Sequence, residues 1–452
     1  MSDIIAAVAT GWQVSAIGII RMSGPGAIEV AKKVFHPRFG SVETAKDRAL
    51  IIGHIADKYG RLIDEVLMTL SHGPNSYTGE DTVEFQCHGS PAVLTAGLES
   101  LFAAGARQAG PGEFTKRAFM NGRMDLTQAE AVIDLIHAET TEAAANAAGQ
   151  LNGVMQRKIS PIYSKLTDIM AHFHAVLDYP DEDIDPFELT AFHSDLEQAR
   201  SQLVQLLSTY SRGQVIRNGI RAVILGKPNA GKSSFLNALA GFDRVIVTDI
   251  AGTTRDSVEE TIRLGRHLIR LVDTAGIRET EDRIEQMGVE RAEAAVSQAN
   301  LAIYVCDGST ALSAEDLRAQ DAALDAPHAI AIINKQDLEQ KVQPSDLPFE
   351  WVIPFCAKTG EGAELLEAVL DTLFDTSLPC DGSILTNTRQ ADAVNRAVIA
   401  MDHAMQSMKS GLTPDAVLVD VESAMEALGE VTGQTMREEI TNRIFERFCV
   451  GK

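Results

Sequence analysis

Short apolar runs separated by turns fill the chain from its first residues to about position 115. The runs IGIIRMSG (17–24), RALIIGHIAD (48–57), LIDEVLMTL (62–70) and TVEFQCHGS (82–90) have the length and composition of strands. GAIEVAKKVF (26–35), lying among them, reads as a helix. Together these predict a mixed α+β domain. Beyond position 111, in PGEFTKRAFMNGRMDLTQAEAVIDLIHAET, the period lengthens to that of a helix. Thr127 and Glu130 form a T-x-x-E capping-box pattern, and Leu126, Ala129, Ile133 and Ile136 follow at helical spacing. Helical patterns run on through 143–177, break at DYPDEDIDP (178–186) and resume over 192–210. The acids of that break suggest either a metal site or a solvated loop. With no further ligand set around them, the loop is the preferred reading.

At about 217 the pattern changes again. RAVILGKPNAGKSSFLNALAG (221–241) is a strand, a glycine-rich loop and a helix. HLIRLVDTAG (267–276), LAIYVCDG (301–308) and HAIAIINKQD (328–337) are apolar runs suited to buried strands, with helical stretches between them. This is the pattern of a doubly wound α/β domain with a mostly parallel sheet. Further on, Ala391, Val394, Val398, Met401, Met405 and Met408 mark one apolar helix face, which core packing explains. The expected division is 1–118, an α+β domain; 119–215, all-α; 216–376, an inserted α/β domain; and 377–452, the second part of a discontinuous helical domain.

The chain has 452 residues, too many for one core. Its formal net charge of −23 argues against a broad nucleic-acid-binding surface, so an RNA contact has to be local or brought by a partner. The five cysteines are scattered and form no C-x-x-C pair, which suggests a reducing cytosol and no zinc site. No apolar run is long enough to span a bilayer, and MSDIIAAVAT reads as a strand rather than a signal or transit peptide.

The candidate chemistry begins at GKPNAGKS (226–233), which fits G-x-x-x-x-G-K-S in the required strand–loop–helix setting. Gly226 and Gly231 let the backbone wrap closely around phosphates, and the N–H groups of Asn229, Ala230 and the helix start face the anion. Lys232 would reach the β- and γ-phosphates, Ser233 would ligate Mg²⁺, and Ser234 follows in the helix start. Three further motifs stand in order. In DTAG, Asp273 can hold the Mg²⁺ shell and Gly276 can sense the γ-phosphate, with Thr274 and Ala275 between them. In NKQD (Asn334, Lys335, Gln336, Asp337), Asp337 can accept the two N–H hydrogen bonds that guanine offers and adenine lacks, which selects GTP. CAK (Cys356, Ala357, Lys358) stands where GTPases usually carry Ser-Ala-Lys, and there the Ala357 backbone would contact guanine. In VTDIAGTTRD (Thr248, Asp249, Ile250, Ala251, Gly252, Thr253, Thr254), Thr253 or Thr254 supplies the second Mg²⁺ hydroxyl. Ile277 follows DTAG, where Ras-like proteins carry a water-orienting glutamine; hydrolysis is therefore poor or completed by other groups.

The motifs PNSYTGEDTVEFQCHG, PGEFTKRAFMNGRMDLTQAEA, GKPNAGKSS, TDIAGTTRD and the terminal FCVGK together resemble the MnmE (TrmE) family of tRNA wobble-uridine modification GTPases, over essentially the whole chain. The resemblance implies an N-terminal folate-binding and dimerisation domain, a helical domain in two pieces and an inserted Ras-like G domain. It implies a cytoplasmic homodimer. With an FAD- and NADH-using partner, MnmG (GidA), it would install an aminomethyl-type group on C5 of uridine 34 of certain tRNAs, drawing the methylene carbon from a tetrahydrofolate. It implies K⁺ held by Asn229, Thr248, Ile250 and Thr253, Mg²⁺ by Ser233 and Thr254, and a water-orienting role for Glu285. On its own residues Glu285 is one acid of an exposed acidic run. Arg21, Glu84, Arg123 and Lys452 match folate-binding positions, Arg123 standing where lysine is usual. Cys449 falls near the methylene donor. Many relatives carry ATPxGxGG where this chain reads ATGWQVSA. Of lost folate binding and a rebuilt loop beside an intact pocket, the second is preferred. A ribosome-assembly GTPase of the Era/Der type shares GKPNAGKS, but the single G domain and the absence of a G-x-x-G loop after position 380 disfavour it. A folate-binding protein with a vestigial G domain ranks last, because all four nucleotide motifs are intact.

Overall fold

The computed structural model describes residues 3–178, 189–241, 260–272, 295–374, 379–435, 438–446 and 448–451. Two units divide the chain: Met1–Ile136, Gly149–Leu203 and Asp392–Lys452 make the first, and His137–Ala148 with Val204–Ala391 the second.

The first unit opens with strands β1 (Ile5–Val8), β2 (Ser15–Ser23), β3 (Phe35–Pro37), β4 (Ile51–Ala56), β5 (Leu62–Ser71), β6 (Thr82–Gly89) and β7 (Arg107–Gln108). They form one sheet in the order β3-β4-β5-β6-β2-β1-β7, antiparallel except for β1 with β7. Helices α1 (Ala27–Val34) and α2 (Pro91–Ala104) cover one face. The strand alternation sends Val83, Phe85 and Cys87 of β6 into that core, with Met22, Ile20 and Leu101. Glu84, Gln86 and His88 therefore face the other way. On that side Ile5, Ala7, Ala109 and Phe114, with Tyr77 against them, form a second cluster. Helix α2 (PAVLTAGLESLFAA) is apolar nearly all round, so no one-sided stripe announces it in the sequence.

The helices of this unit are α3 (Glu113–Met120), α4 (Leu126–Ile136) and, beyond α5 (Thr141–Leu151), α6 (Val154–Asp178) and α7 (Leu189–Ser208). The capping box expected at Thr127 and Glu130 lies two residues earlier. Asp125 Oδ1 accepts the Gln128 N–H at 2.9 Å and the Thr127 hydroxyl at 2.6 Å, while Gln128 Oε1 accepts the Asp125 N–H at 2.9 Å. A D-x-x-Q pair thus satisfies the first-turn donors, and Thr127 and Glu130 become buried residues inside the helix. After the second unit, α12 (Thr388–Lys409), α13 (Pro414–Thr432) and α14 (Glu438–Phe445) return the chain to the first. Helix α13 packs on both α6 and α4, so the helical body is assembled from segments on either side of the insertion. Val394, Met401 and Met405 of the predicted stripe are buried.

The second unit holds α8 (Tyr210–Asn218) and strands β8 (Ile220–Leu225), β9 (Glu260–Leu264), β10 (His267–Leu271), β11 (Leu301–Asp307), β12 (His328–Asn334) and β13 (Trp351–Pro354). Their order is β13-β12-β11-β8-β10-β9, parallel but for the edge strand β9, which the apolar runs did not single out. Helices α9 (Lys232–Ala240), α10 (Ala314–Leu324) and α11 (Ala363–Leu373) accompany the sheet, and separate apolar clusters fill its two faces. That sandwiching buries β11 along its whole length. The acidic break at 179–186 lies outside the described residues, and among those described no helix is long and apolar enough to cross a membrane.

Candidate functional site

The phosphate loop leaves β8 and ends at α9. At Gly226 (φ +149°) a Cβ would collide with the Val305 carbonyl oxygen, and at Gly231 (φ +95°) with the Asn334 side-chain amide. Only glycine permits both the conformation and the approach. Asn229 also holds a left-handed backbone, φ +60°, which asparagine tolerates better than most residues. Lys232 Nζ donates to the carbonyl oxygens of Gly226 at 2.6 Å and Lys227 at 2.8 Å, and burial lowers its pKa. Its ammonium is thus held over the loop's own oxygens, at the N-terminus of α9, where an anion is favoured. Ser233 and Ser234 follow in the first turn of the same helix.

The base loop follows β12. Asn334 is buried and bridges three motifs. Its Nδ2 donates to the Ala230 carbonyl at 3.2 Å, and its Oδ1 accepts the N–H of Lys335 at 2.8 Å and of Ala357 at 3.2 Å. Of the Ala357 backbone, expected to contact guanine, the N–H is engaged by Asn334 here. Asp337 Oδ2 lies 3.6 Å from the exposed Lys358 ammonium. Cys356 is buried, and its thiol pKa is lowered by the Thr359 hydrogen bond. Thus Gly226, Asn229, Ala230, Gly231, Lys232, Asn334, Lys335, Asp337, Cys356, Ala357 and Lys358 are gathered at the β8, β12 and β13 ends of one sheet. Thr248, Asp249, Ile250, Ala251, Gly252, Thr253, Thr254, Asp273, Thr274, Ala275, Gly276, Ile277 and Glu285 lie outside the described residues, as does Lys452.

A second constellation sits on the first unit's sheet, on the face away from α1 and α2. Arg21 and Glu84 are directly opposed on β2 and β6, and Arg21 Nε donates to Glu84 Oε1 at 2.7 Å. The guanidinium lies 5.3 Å from the Tyr77 ring centre and 5.8 Å from that of Phe114. Tyr77 in turn bonds Thr115 through its hydroxyl at 2.9 Å. Arg123 Nε donates to the Ser76 carbonyl at 3.1 Å, next to Tyr77. Neither aromatic was a candidate from the sequence, though Tyr77 stands inside PNSYTGEDTVEFQCHG. The loop carrying Trp12 is exposed at its indole, and a register shift marks the start of β2 between Ser15 and Ile17.

The chain's last residues dock at the end of β1 and the start of α3. Phe445 and Phe448 are buried against Leu126, Ala129 and Val132, and the Cys449 carbonyl accepts the Gly112 N–H at 3.2 Å. Val450 bridges Pro111, and Gly451, at φ +102°, lies so close to the Val8 carbonyl oxygen that a Cβ would collide with it. Val8 neighbours Ala7, which is paired in register with Arg21. The tail is thus held at the end of β1 and the start of α3, and Cys449 remains exposed. The buried thiols Cys87 and Cys306 are pushed up to about 12 by desolvation.

A parallel sheet whose first strand feeds a glycine phosphate loop, with an N-K-x-D loop two strands away, is the architecture of a P-loop GTPase. The chain belongs to the MnmE family of tRNA modification GTPases. The family described as "GTP-binding protein TrmE N-terminus" matches residues 4–123, and the "MnmE helical domain" family matches 126–449. Relatives named tRNA modification GTPase MnmE align over 100% of this chain. That of Carboxydothermus hydrogenoformans is 40% identical and covered over 100% of its length, that of Roseiflexus castenholzii 41% and 99%, and that of Clostridioides difficile 39% and 100%.

Proposed function

We propose that this GTPase drives modification of the wobble uridine of certain tRNAs. In this reading it works as a cytoplasmic homodimer with an FAD-dependent MnmG-type partner, and an aminomethyl-type group is installed on C5 of uridine 34 from a tetrahydrofolate one-carbon unit. The division 1–118, 119–215, 216–376 and 377–452 is part of the proposal. The observation that supports it best is the anchoring of the terminal segment, with its exposed thiol, at the end of β1 and the start of α3, in the same unit as the sheet face that carries the Arg21–Glu84 pair and two aromatic rings. Such a face suits a flat heterocycle with N–H donors: Glu84 would accept from the donors and the rings would cover the plane. Arg123 and Lys452 would meet anionic parts of the same ligand.

In the nucleotide site the loop N–H groups and Lys232 would hold the phosphates, and Asp337 would read guanine. The residues that would hold Mg²⁺ are Ser233 and Thr254, and those for K⁺ are Asn229, Thr248, Ile250 and Thr253. Bound there, K⁺ would supply the positive charge that an arginine finger supplies elsewhere. The left-handed backbone of Asn229 fits this role, since it places an amide side chain at the turn of the loop. Glu285 would orient the attacking water in place of the glutamine replaced by Ile277.

The deciding experiment is nucleoside analysis of tRNA from a deletion strain. Loss of the modified wobble uridine is expected, and an unchanged profile would defeat the reading. Hydrolysis in K⁺ is expected to exceed that in Na⁺ at equal ionic strength by at least about tenfold, the scale of one well-placed charge. Equal rates would remove K⁺ from the mechanism.

A further inference from the structure

Two carboxylates that no nucleotide motif includes hold the two nucleotide loops. Asp307 ends β11, paired in register with Asn334 of β12. Its Oδ2 accepts the Lys335 ammonium at 2.6 Å, and its Oδ1 accepts the Ser309 N–H at 2.9 Å and hydroxyl at 2.7 Å. Lys335 has a left-handed backbone, φ +63°, so its side chain leaves the base loop in a direction that few residues adopt. Nine residues on, Asp316 is wholly buried in the first turn of α10. Its Oδ2 accepts Lys227 Nζ at 2.8 Å and the Ser313 N–H and hydroxyl, each at 2.8 Å, and Tyr304 Oη lies 3.4 Å from its Oδ1. Lys227 is the second residue of the phosphate loop and also reaches Thr310 Oγ1 at 3.3 Å. The Gly308 carbonyl accepts the N–H of Lys341 at 2.7 Å, so the same segment fastens the far end of the base loop.

Burial alone would push both carboxyls toward the neutral form. The lysine bonds, Lys335 on Asp307 and Lys227 on Asp316, with the serine donors, reverse this and hold both pKa values below the usual range. The Lys227–Asp316 pair lies almost out of solvent, the regime in which removing one partner costs most, while Lys335 keeps about a third of its side chain exposed over a nearly buried Asp307. An anchored ammonium fixes the methylene stem behind it, and the Lys335 stem then presents a fixed apolar rail in the loop that carries Asp337. On the other side, Lys227 holds the turn whose carbonyl oxygens receive Lys232.

We propose that the segment from Asp307 to Asp316 is a brace that positions both nucleotide loops: Asp307 acts through Lys335 on the base loop, and Asp316 through Lys227 on the phosphate loop. Neither carboxylate touches the nucleotide; both are positioning residues. The proposal rests on GTP occupying these loops.

The test uses the full-length chain and measures GDP and IDP affinity by displacement of a fluorescent guanine nucleotide, together with KM and kcat for GTP. Asp307→Asn is expected to raise the Kd for GDP and for IDP by the same factor, about tenfold, the scale of one charge-assisted hydrogen bond. IDP lacks the exocyclic amine that Asp337 reads, so equal factors assign the loss to Lys335 rather than to Asp337. KM should rise with kcat within about twofold of the parent. Lys335→Met with Asp307→Asn should bind no more weakly than Lys335→Met alone. For the phosphate loop, Lys227→Met should lose about tenfold in GDP affinity and Lys227→Arg should restore most of it, with Asp316→Asn matching Lys227→Met. A fall in melting temperature for Asp316→Asn or Lys227→Met with GDP affinity unchanged would overturn that half of the brace. GDP affinity within twofold of the parent for Asp307→Asn, or strictly additive losses in the double variant, would overturn the other. A parent chain that binds no GDP would instead defeat the GTP reading itself.

Discussion

The two candidate sites are built in opposite ways. The phosphate loop is local: eight consecutive residues wrap so tightly that two glycines have no room for a Cβ. The N-terminal face is assembled from distant pieces. Arg21 and Glu84 meet across strands 63 positions apart, and the segment docked on neighbouring β1 arrives from the end of the chain. A site made of backbone should be lost through one steric insult within it. A site made by docking should be lost when an element detaches, with the other site left working.

Three changes put that contrast under strain. The largest effect is expected from Gly226→Val. Its Cβ would strike the Val305 carbonyl at a backbone angle valine avoids, at a cost of about 3 kcal/mol, or ~100-fold in GDP affinity. Near-parental GDP binding in this variant would show that the loop is not a rigid cradle. Next comes the tail. Gly451→Val would lever the terminal segment off Val8, and Cys449→Ser would keep it docked without the thiol. Both are expected to abolish tRNA modification while GTP turnover stays within about twofold. If Gly451→Val alone were impaired, the tail would serve as a wedge and the thiol would do no chemistry. Loss of GTP turnover in either would mean the two sites are not separable.

The smallest effect is one of pH. Glu113, in the first turn of α3, bonds Arg107 at 2.6 Å and Arg117 at 3.0 Å. Burial opposes its charge, but Arg107, the Gly110 N–H and Arg117 outweigh it and bring its pKa from the usual 4.5 to about 2. A lowered folded-state pKa stabilises the fold above the unfolded value, and that stability is lost as pH falls from about 4.5 toward 2. The full contribution is about 3 kcal/mol at most. Trp12 fluorescence in a Trp351→Phe background should therefore report acid unfolding of the first unit, and Glu113→Gln should flatten its pH dependence. An unchanged slope in Glu113→Gln would assign acid lability to other carboxylates, with Asp3, also lowered to about 2 by Arg107, next in line.

Particular residues show where sequence reading succeeds and where it stops. Strands β8, β11 and β12 are legible because burial on both faces leaves continuous apolar runs, and the phosphate loop because its chemistry needs glycine and lysine at set spacing. The helix start at Leu126 lies two positions ahead of the one T-x-x-E implies: T-x-x-E and D-x-x-Q both satisfy the pattern, and only the actual hydrogen bonds choose between them. Helix α2 lacked a stripe, and β9 pairs along an edge that its own residues do not announce. Tyr77 and Phe114 carried no signal, because a ring near a guanidinium is a product of register, not of spacing.

Sequence by itself determined the nucleotide class and the buried strands of the α/β sheet, since both rest on short-range patterns that physical chemistry reads directly: glycine where the backbone must approach an anion, and apolar runs where an element must be buried. Only the tertiary structure decided what stands beside what. It placed FCVGK against β1 and α3, set Arg21 opposite Glu84, and tied the lysines of both nucleotide loops to Asp307 and Asp316. Those contacts join positions far apart along the chain, and a contact of that kind exists only once the intervening elements have packed and fixed the register between them.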